Sequence, residues 1–292
     1  MKAIILAGGS GTRLHPMTYA ISKQALPIYD KPMIYYPLSI LMLAGLRDIL
    51  IISTPRDLPM FESMLGDGSQ FGLNLQFAIQ PNPGGLAQAF LIGEEFIAGE
   101  PVCLILGDNV FYGHGLSDLL RQSSHLTKGA CIYASHVTDP RRYGVVDFDD
   151  MGRAISVEEK PENPKSSWAI TGLYFYDSKV VDFSKSIQPS QRGELEITDI
   201  NRLYLDRGEL NVQKMGRGYA WFDTGTPDSL HDAAAFVQAI SRRQSYKIAC
   251  LEEIAMQNGW MTPEAILSSL PGGSKGDYGA YVHRRAEEIA NG

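Results

Sequence analysis

Apolar and polar positions alternate in short blocks over the first 135 residues. Lys2 to Ala7 is a brief apolar run with the β-branched pair Ile4-Ile5, stopped by glycines, which predicts a buried strand entering a loop. Asp48 to Ser53, Pro101 to Leu106 and Ala130 to Ser135 repeat that pattern, and Leu73 to Ile79 alternates as a strand does. Between them, Pro32 to Ala44, Leu58 to Leu65, Leu86 to Ile97 and Leu116 to Leu126 have helical spacing, the first two closed by Gly45 and Gly66. Strands separated by helices predict βαβ units and a largely parallel sheet covered on both faces.

After residue 140 the rhythm changes. Tyr143 to Phe148, Ala154 to Glu158, Trp168 to Tyr176, Glu209 to Met215 and Tyr219 to Phe222 read as strands with few helices between them. An antiparallel or mixed extension of the sheet is expected. Pro227 to Arg243 predicts a long helix with Thr226 as N-cap and proline at the first position. No linker, repeat or charge block divides the chain. The expected organisation is one main unit, 1–242, with halves 1–135 and 136–226, and a helical annex, 243–292, packed into the same body.

Composition narrows the function. The 292 residues carry a net charge of −7, which disfavours nucleic acid as a partner. No apolar run is long enough to span a membrane, and the first one breaks too early for a signal peptide. Three cysteines without CxxC spacing argue against a disulfide scaffold or structural zinc and fit a cytoplasmic setting.

Candidate chemistry sits at the predicted strand ends. In Leu6-Ala-Gly-Gly-Ser-Gly-Thr-Arg13, the backbone N–H groups of Gly8, Gly9, Ser10, Gly11 and Thr12 can wrap an anion, and Arg13 adds a two-pronged charge. The alternative is a tight structural turn. The loop is no dinucleotide fingerprint, because its sixth position is Leu14, and no P-loop, because no Gly-Lys-Ser/Thr follows. Lys23 offers a point charge for phosphate, and Gln24 an amide for a base edge. Asp108, in Gly107-Asp108-Asn109, either suits Mg²⁺ at the carboxyl end of a strand or caps a turn. Asp223 is either a second metal carboxylate or a charge at a helix N-terminus. Lys160 in Glu158-Glu-Lys-Pro161 and Arg192 in Arg192-Gly-Glu-Leu-Glu196 either hold a second anionic substrate or are solvated, locally paired cations. Gln80 and Gly85 lie in a Pro/Gly loop that either cradles a nucleobase or simply connects strand to helix. Tyr174 alternates as a core residue that can also face a sugar. The histidines lack ligand spacing, and no Gly-x-Ser-x-Gly is present.

Together these motifs resemble the sugar-phosphate nucleotidyltransferases (sugar-nucleotide pyrophosphorylases) over nearly the whole chain. Asp30-Lys-Pro-Met-Ile-Tyr-Tyr-Pro37, Gly85-Leu-Ala-Gln-Ala89, Arg142-Tyr-Gly-Val-Val146, Thr171-Gly-Leu-Tyr-Phe-Tyr176 and Asp223-Thr-Gly-Thr226 add to the likeness, which is strongest to the branch using dTTP and glucose 1-phosphate. The chain departs from the family pattern at Gly84, where Asp is usual, and at Ala25, where Leu is usual.

The resemblance implies a Rossmann-like three-layer α/β/α fold with a mixed central sheet. It implies Mg²⁺-dependent thymidylyl transfer, dTTP + glucose 1-phosphate → dTDP-glucose + pyrophosphate, opening dTDP-sugar (dTDP-rhamnose) and polysaccharide synthesis. It places Gly8, Gly9, Ser10, Gly11 and Thr12 on the nucleotide, Arg13 and Lys23 on the triphosphate, and Gln24, Gln80 and Gly85 at the thymine. Asp108 and Asp223 would hold Mg²⁺. Asn109, Gly144, Glu159, Thr171 and Tyr174 would surround the glucose, and Lys160 and Arg192 would grip its phosphate. A homotetramer with an inhibitory dTDP-sugar site is implied as well. Two alternatives stay open: a pyrophosphorylase for UTP or another hexose 1-phosphate, and a non-catalytic subunit sensing nucleotide sugars. Retention of Arg13, Lys23, Asp108 and Asp223 favours an active enzyme.

Overall fold

Alternation along the first strand sorts the core into two layers. The structure, a computed structural model, describes residues 1–9, 11–270 and 276–291. Its strands are β1 (Lys2–Ala7), β2 (Pro27–Ile28), β3 (Lys31–Pro32), β4 (Asp48–Ser53), β5 (Asn74–Ile79), β6 (Val102–Leu106), β7 (Asn109–Gly113), β8 (Ala130–His136), β9 (Gly144–Phe148), β10 (Ala154–Glu159), β11 (Trp168–Tyr176), β12 (Leu210–Met215) and β13 (Tyr219–Asp223). Its helices are α1 (Tyr35–Leu43), α2 (Leu58–Leu65), α3 (Gln88–Ile92), α4 (Glu94–Ile97), α5 (Leu116–Ser124), α6 (Val180–Ser186), α7 (Ile197–Asp206), α8 (Pro227–Gln244), α9 (Leu251–Gln257), α10 (Pro263–Ser269) and α11 (Asp277–Asn291).

Ala3, Ile5 and Ala7 of β1 face one apolar layer, with Leu38 and Leu41 of α1, Phe61 of α2, Leu120 of α5 and Leu251, Tyr281 and Val282 from α9 and α11. Ile4 and Leu6 face the other, with Phe90 of α3, Val181 of α6 and Tyr204 of α7. Successive side chains of a strand point to opposite faces, so a continuous apolar run requires helices on both. The result is a three-layer α/β/α fold with a mixed central sheet, as the resemblance implied.

β5, β4, β1 and β6 are mutually parallel, and β11 joins β6 antiparallel. β11 then pairs antiparallel with β9 and β8, and β12 lies parallel to β8. This is the mixed extension expected after residue 140. The β11–β8 register breaks between Ile170 and Tyr174. There the Thr171 hydroxyl donates to the Tyr133 carbonyl (3.0 Å) and the Gly172 N–H donates to Asn109 Oδ1 (3.0 Å), so site side chains replace ladder bonds.

Several expected boundaries shift. Pro32 to Ala44 is helical only from Tyr35, because the Met33 and Ile34 amides bond back to the Leu26 and Gln24 carbonyls (both 2.9 Å). Leu86 to Ile97 divides into α3 and α4 at Gly93. The chain resumes as β7 directly after Asp108, pairing with β13, and α6 follows β11. Thr226 caps α8 as expected, accepting from the Ser229 amide (3.2 Å). No helix among the described residues is long and apolar enough to cross a membrane.

Candidate active site

Because β1 and β6 are parallel neighbours in the middle of the sheet, the glycine loop after Ala7 and Asp108 emerge together at the carboxyl ends of the strands, where open α/β sheets bind ligands. The Gly107 N–H donates to the Leu6 carbonyl (2.9 Å) and holds the two ends together. Three adjoining cavities open there, and Asp108 lines all of them. One, of about 200 Å³, is walled by Gly8, Gly9, Gln24, Gln80 and Gly85. A second, of about 170 Å³, is walled by Asn109, Gly144, Glu159, Lys160, Thr171 and Tyr174, with Trp221 and Asp223 beside them. The third, of about 420 Å³, carries Gly11, Thr12, Arg13 and Lys23, and again Asp223. The shape is two slots and a trough meeting at Asp108, and the trough sets Arg13 and Lys23 against three carboxylates, Asp108, Glu194 and Asp223.

The first slot is built by loop contacts. Gln24 is buried, with its Oε1 accepting from the Ser22 hydroxyl (2.7 Å) and its Nε2 donating to the Gly8 carbonyl (3.3 Å). Gly85 has φ +97°, and a Cβ there would lie 2.4 Å from the Leu195 carbonyl oxygen. That approach lets Leu195 bond the loop on both sides, donating to Gly84 (2.8 Å) and accepting from Ala87 (3.2 Å). The loop around Gly84 and Gly85 is thereby stitched to the segment that carries Arg192 and Glu196.

The carboxylates have opposed electrostatics. Burial works against ionisation of Asp108, but the contacting Lys23 ammonium and the Asn109 amide, which donates to Oδ1 (3.0 Å), outweigh it and hold the carboxyl below its usual range. Burial first, then the negative charge of Asp108, push Asp223 above the usual range, with Lys23, Arg142 and Arg13 pulling weakly the other way. Arg142 Nη2 stands 3.8 Å from Asp223. Thr224 donates its N–H (3.1 Å) and hydroxyl (2.8 Å) to the Asp108 carbonyl, fixing the two loops together.

Asn109 is the hub beneath Asp108. Its Oδ1 accepts from Trp221 Nε1 (2.6 Å) and the Gly172 N–H (3.0 Å), both donors only, so its amide nitrogen must face Asp108. Glu159 is held by the Thr198 hydroxyl (2.5 Å) and by Arg192 (3.3 Å), with Lys160 3.4 Å away. Burial and the Glu159 and Asp108 charges raise the Tyr174 phenol well above its usual value, so it stays neutral.

Most sequence candidates converge on these cavities, and Arg192 is the exception. It is not among their lining residues; it forks onto Glu196 (2.8 and 2.9 Å) behind Glu159, while its neighbour Glu194 reaches the rim. Ser10 lies outside the described residues. Arg142, Trp221, Thr198 and Thr224 belong to the site without having been given a role. Arg142 and Thr224 sit inside quoted motifs and Trp221 inside a predicted strand, but a single sequence does not show which member of a motif or strand faces inward. Among the described residues no group of three or more His, Cys, Asp or Glu could hold a metal. The available donors are the two carboxylates.

The family model for nucleotidyl transferases matches residues 2–240. A glucose-1-phosphate thymidylyltransferase of Neisseria meningitidis serogroup A is 58% identical over 97% of this chain and 99% of its own. One from Xanthomonas campestris pv. campestris is 57% identical over 99% and 98%. A crystal structure from Bacillus anthracis, provisionally assigned the same activity and solved with sucrose, is 42% identical with a TM-score of 0.75, covering 81% of this chain and 94% of that one. The chain belongs to the nucleotidyl transferase family, within its glucose-1-phosphate thymidylyltransferase group.

Proposed function

We propose that this protein transfers a thymidylyl group from dTTP to glucose 1-phosphate, releasing pyrophosphate and opening dTDP-sugar synthesis. The observation that carries this reading is the single carboxylate, Asp108, on which the first slot, taken for the base, the second, taken for the sugar, and the trough carrying Arg13 and Lys23 converge. A sugar phosphate with second pKa of about 6 is a dianion at neutral pH and already nucleophilic. A site without a general base therefore suffices. One phosphate oxygen bonds to the α-phosphorus of dTTP while the bond to the β-phosphate oxygen breaks.

Catalysis then consists of positioning and charge compensation. The glycine loop offers N–H groups to the triphosphate, and Arg13 and Lys23 meet the charge that builds on the departing pyrophosphate. Lys160 faces the sugar phosphate from the opposite wall, with Arg192 acting behind it through Glu159. Two carboxylates, one carrying an unrelieved charge, form an oxygen-only donor set that fits a small hard cation. Asp108 and Asp223 would hold Mg²⁺, which when bound supplies charge neutralisation between two polyanions. The same reading gives a homotetramer with an inhibitory dTDP-sugar site.

The test is Asp108→Asn. It should keep the fold by circular dichroism and lose about a hundredfold or more in kcat, the scale of one transition-state contact. Undiminished kcat at saturating Mg²⁺ would remove Asp108 from the chemistry.

A further inference from the structure

Gln88, on the first turn of α3, lies outside the walls of the base slot but holds two groups of the loop that forms it. Its Oε1 accepts from the Gly84 N–H (3.1 Å) and from Gln80 Nε2 (2.8 Å). A backbone N–H can only donate, so the Gly84 contact fixes which end of the Gln88 amide faces the loop. Gln80 must then offer its NH₂ end to Gln88. The same Nε2 also reaches the Gly85 carbonyl (3.5 Å), which can only accept. Two backbone groups of opposite character thus orient both side-chain amides. Gln80 is buried, and its remaining end, Oε1, points toward Gly8, 2.7 Å from where a Cβ on that residue would stand.

We propose that Gln88 is a positioning residue for base selection: it locks Gln80 with its carbonyl oxygen toward the nucleobase, so that the slot accepts a pyrimidine carrying an N3–H donor and rejects one whose N3 is an acceptor. This rests on the thymidylyltransferase reading. Thymine and uracil satisfy the lock equally; cytosine sets a lone pair against Gln80 Oε1. Rejection through a misplaced hydrogen-bonding group is far stronger than rejection through a missing methyl. Gly84 is part of the device, because a Cβ there would lie 2.7 Å from the Gln88 amide.

The experiment compares dTTP, UTP and dCTP with glucose 1-phosphate in wild type, Gln88→Met and Gln88→Glu. In Gln88→Met the Gln80 amide is free to turn over. The preference for dTTP over dCTP in kcat/KM should fall about tenfold or more, on the dTTP side mainly through a raised KM. The KM for glucose 1-phosphate should stay within about twofold, and the dTTP-to-UTP ratio should not move. Gln88→Glu keeps the acceptor and should restore the dTTP-to-dCTP preference. If Gln88→Met does not fold, Gly84→Ala, which displaces the Gln88 amide sterically, should lower the same ratio. An unchanged dTTP-to-dCTP ratio in a folded variant, or equal losses for all three nucleotides with no rescue by Glu, overturns the role of Gln88. A wild type inactive with dTTP and glucose 1-phosphate would overturn the functional reading instead.

Discussion

Replacing Asn109 by Asp changes one NH₂ to oxygen at the hub of the site. Both donors to Oδ1, Trp221 and Gly172, keep their acceptor. The contact to Asp108, 3.0 Å in the native amide, becomes oxygen against oxygen. Two unit charges about 4 Å apart repel by about 4 kcal/mol at an effective dielectric of about 20. Protonating an ordinary Asp at pH 7.5 costs about 5 kcal/mol. The two are comparable, so the new carboxyl should titrate at roughly pH 6–7. Below that range it carries a proton and donates to Asp108 as the amide does. Above it, two carboxylates repel and Asp108 loses its orientation. The stability sign follows: a folded pKa above the unfolded value near 3.9 leaves stability intact at low pH and lowers it as pH rises toward the folded pKa. The assay is pyrophosphate release from pH 5.5 to 8.5 with thermal melting alongside. Activity relative to wild type should fall about tenfold or more as pH rises through and above that range, whereas Tm relative to wild type should fall as pH rises toward it and level off above it. A variant-to-wild-type ratio that is flat across this range would refute the reasoning.

Asp223→Asn removes a carboxyl that burial and Asp108 hold above its usual range. Ionised Asp223 therefore costs stability at neutral pH and costs none once protonated, so the metal-free variant should melt above wild type at pH 7.5, with the gap closing on acidification, while activity is lost. Melting below wild type would contradict the electrostatic picture. Gly85→Ala sets a Cβ against the Leu195 carbonyl at a strained positive φ and should cost about 1–3 kcal/mol by urea unfolding, with a raised KM for dTTP; an unaffected KM would separate this loop from the nucleotide. Lys160→Ala should raise the KM for glucose 1-phosphate about tenfold and spare that for dTTP; the reverse pattern would exchange the two substrate slots.

The sheet was legible wherever a strand is buried on both faces. The runs around Ile4-Ile5 and Leu104-Ile105 are too short and too closely followed by glycine for a helix, and β1, β4 and β11 lie at the residues their patterns predict. Local pattern failed where tertiary bonds capture the backbone. Met33 and Ile34 look helical but bond back to Leu26 and Gln24. Asn109 looks like the end of a strand and begins another, because its partner Asp223 lies more than a hundred residues away. The site divides in the same way. Glycines and carboxylates at strand ends announce themselves by type and place. Trp221 and Gln88 act through other side chains, and that relation exists only once the chain is folded.

The most direct measurement is the fate of phosphorus-labelled glucose 1-phosphate incubated with dTTP, Mg²⁺ and the purified protein. The account predicts label in dTDP-glucose together with an equal amount of unlabelled pyrophosphate, and loss of both in Asp108→Asn. Label that stays in glucose 1-phosphate with folded wild-type protein would contradict it.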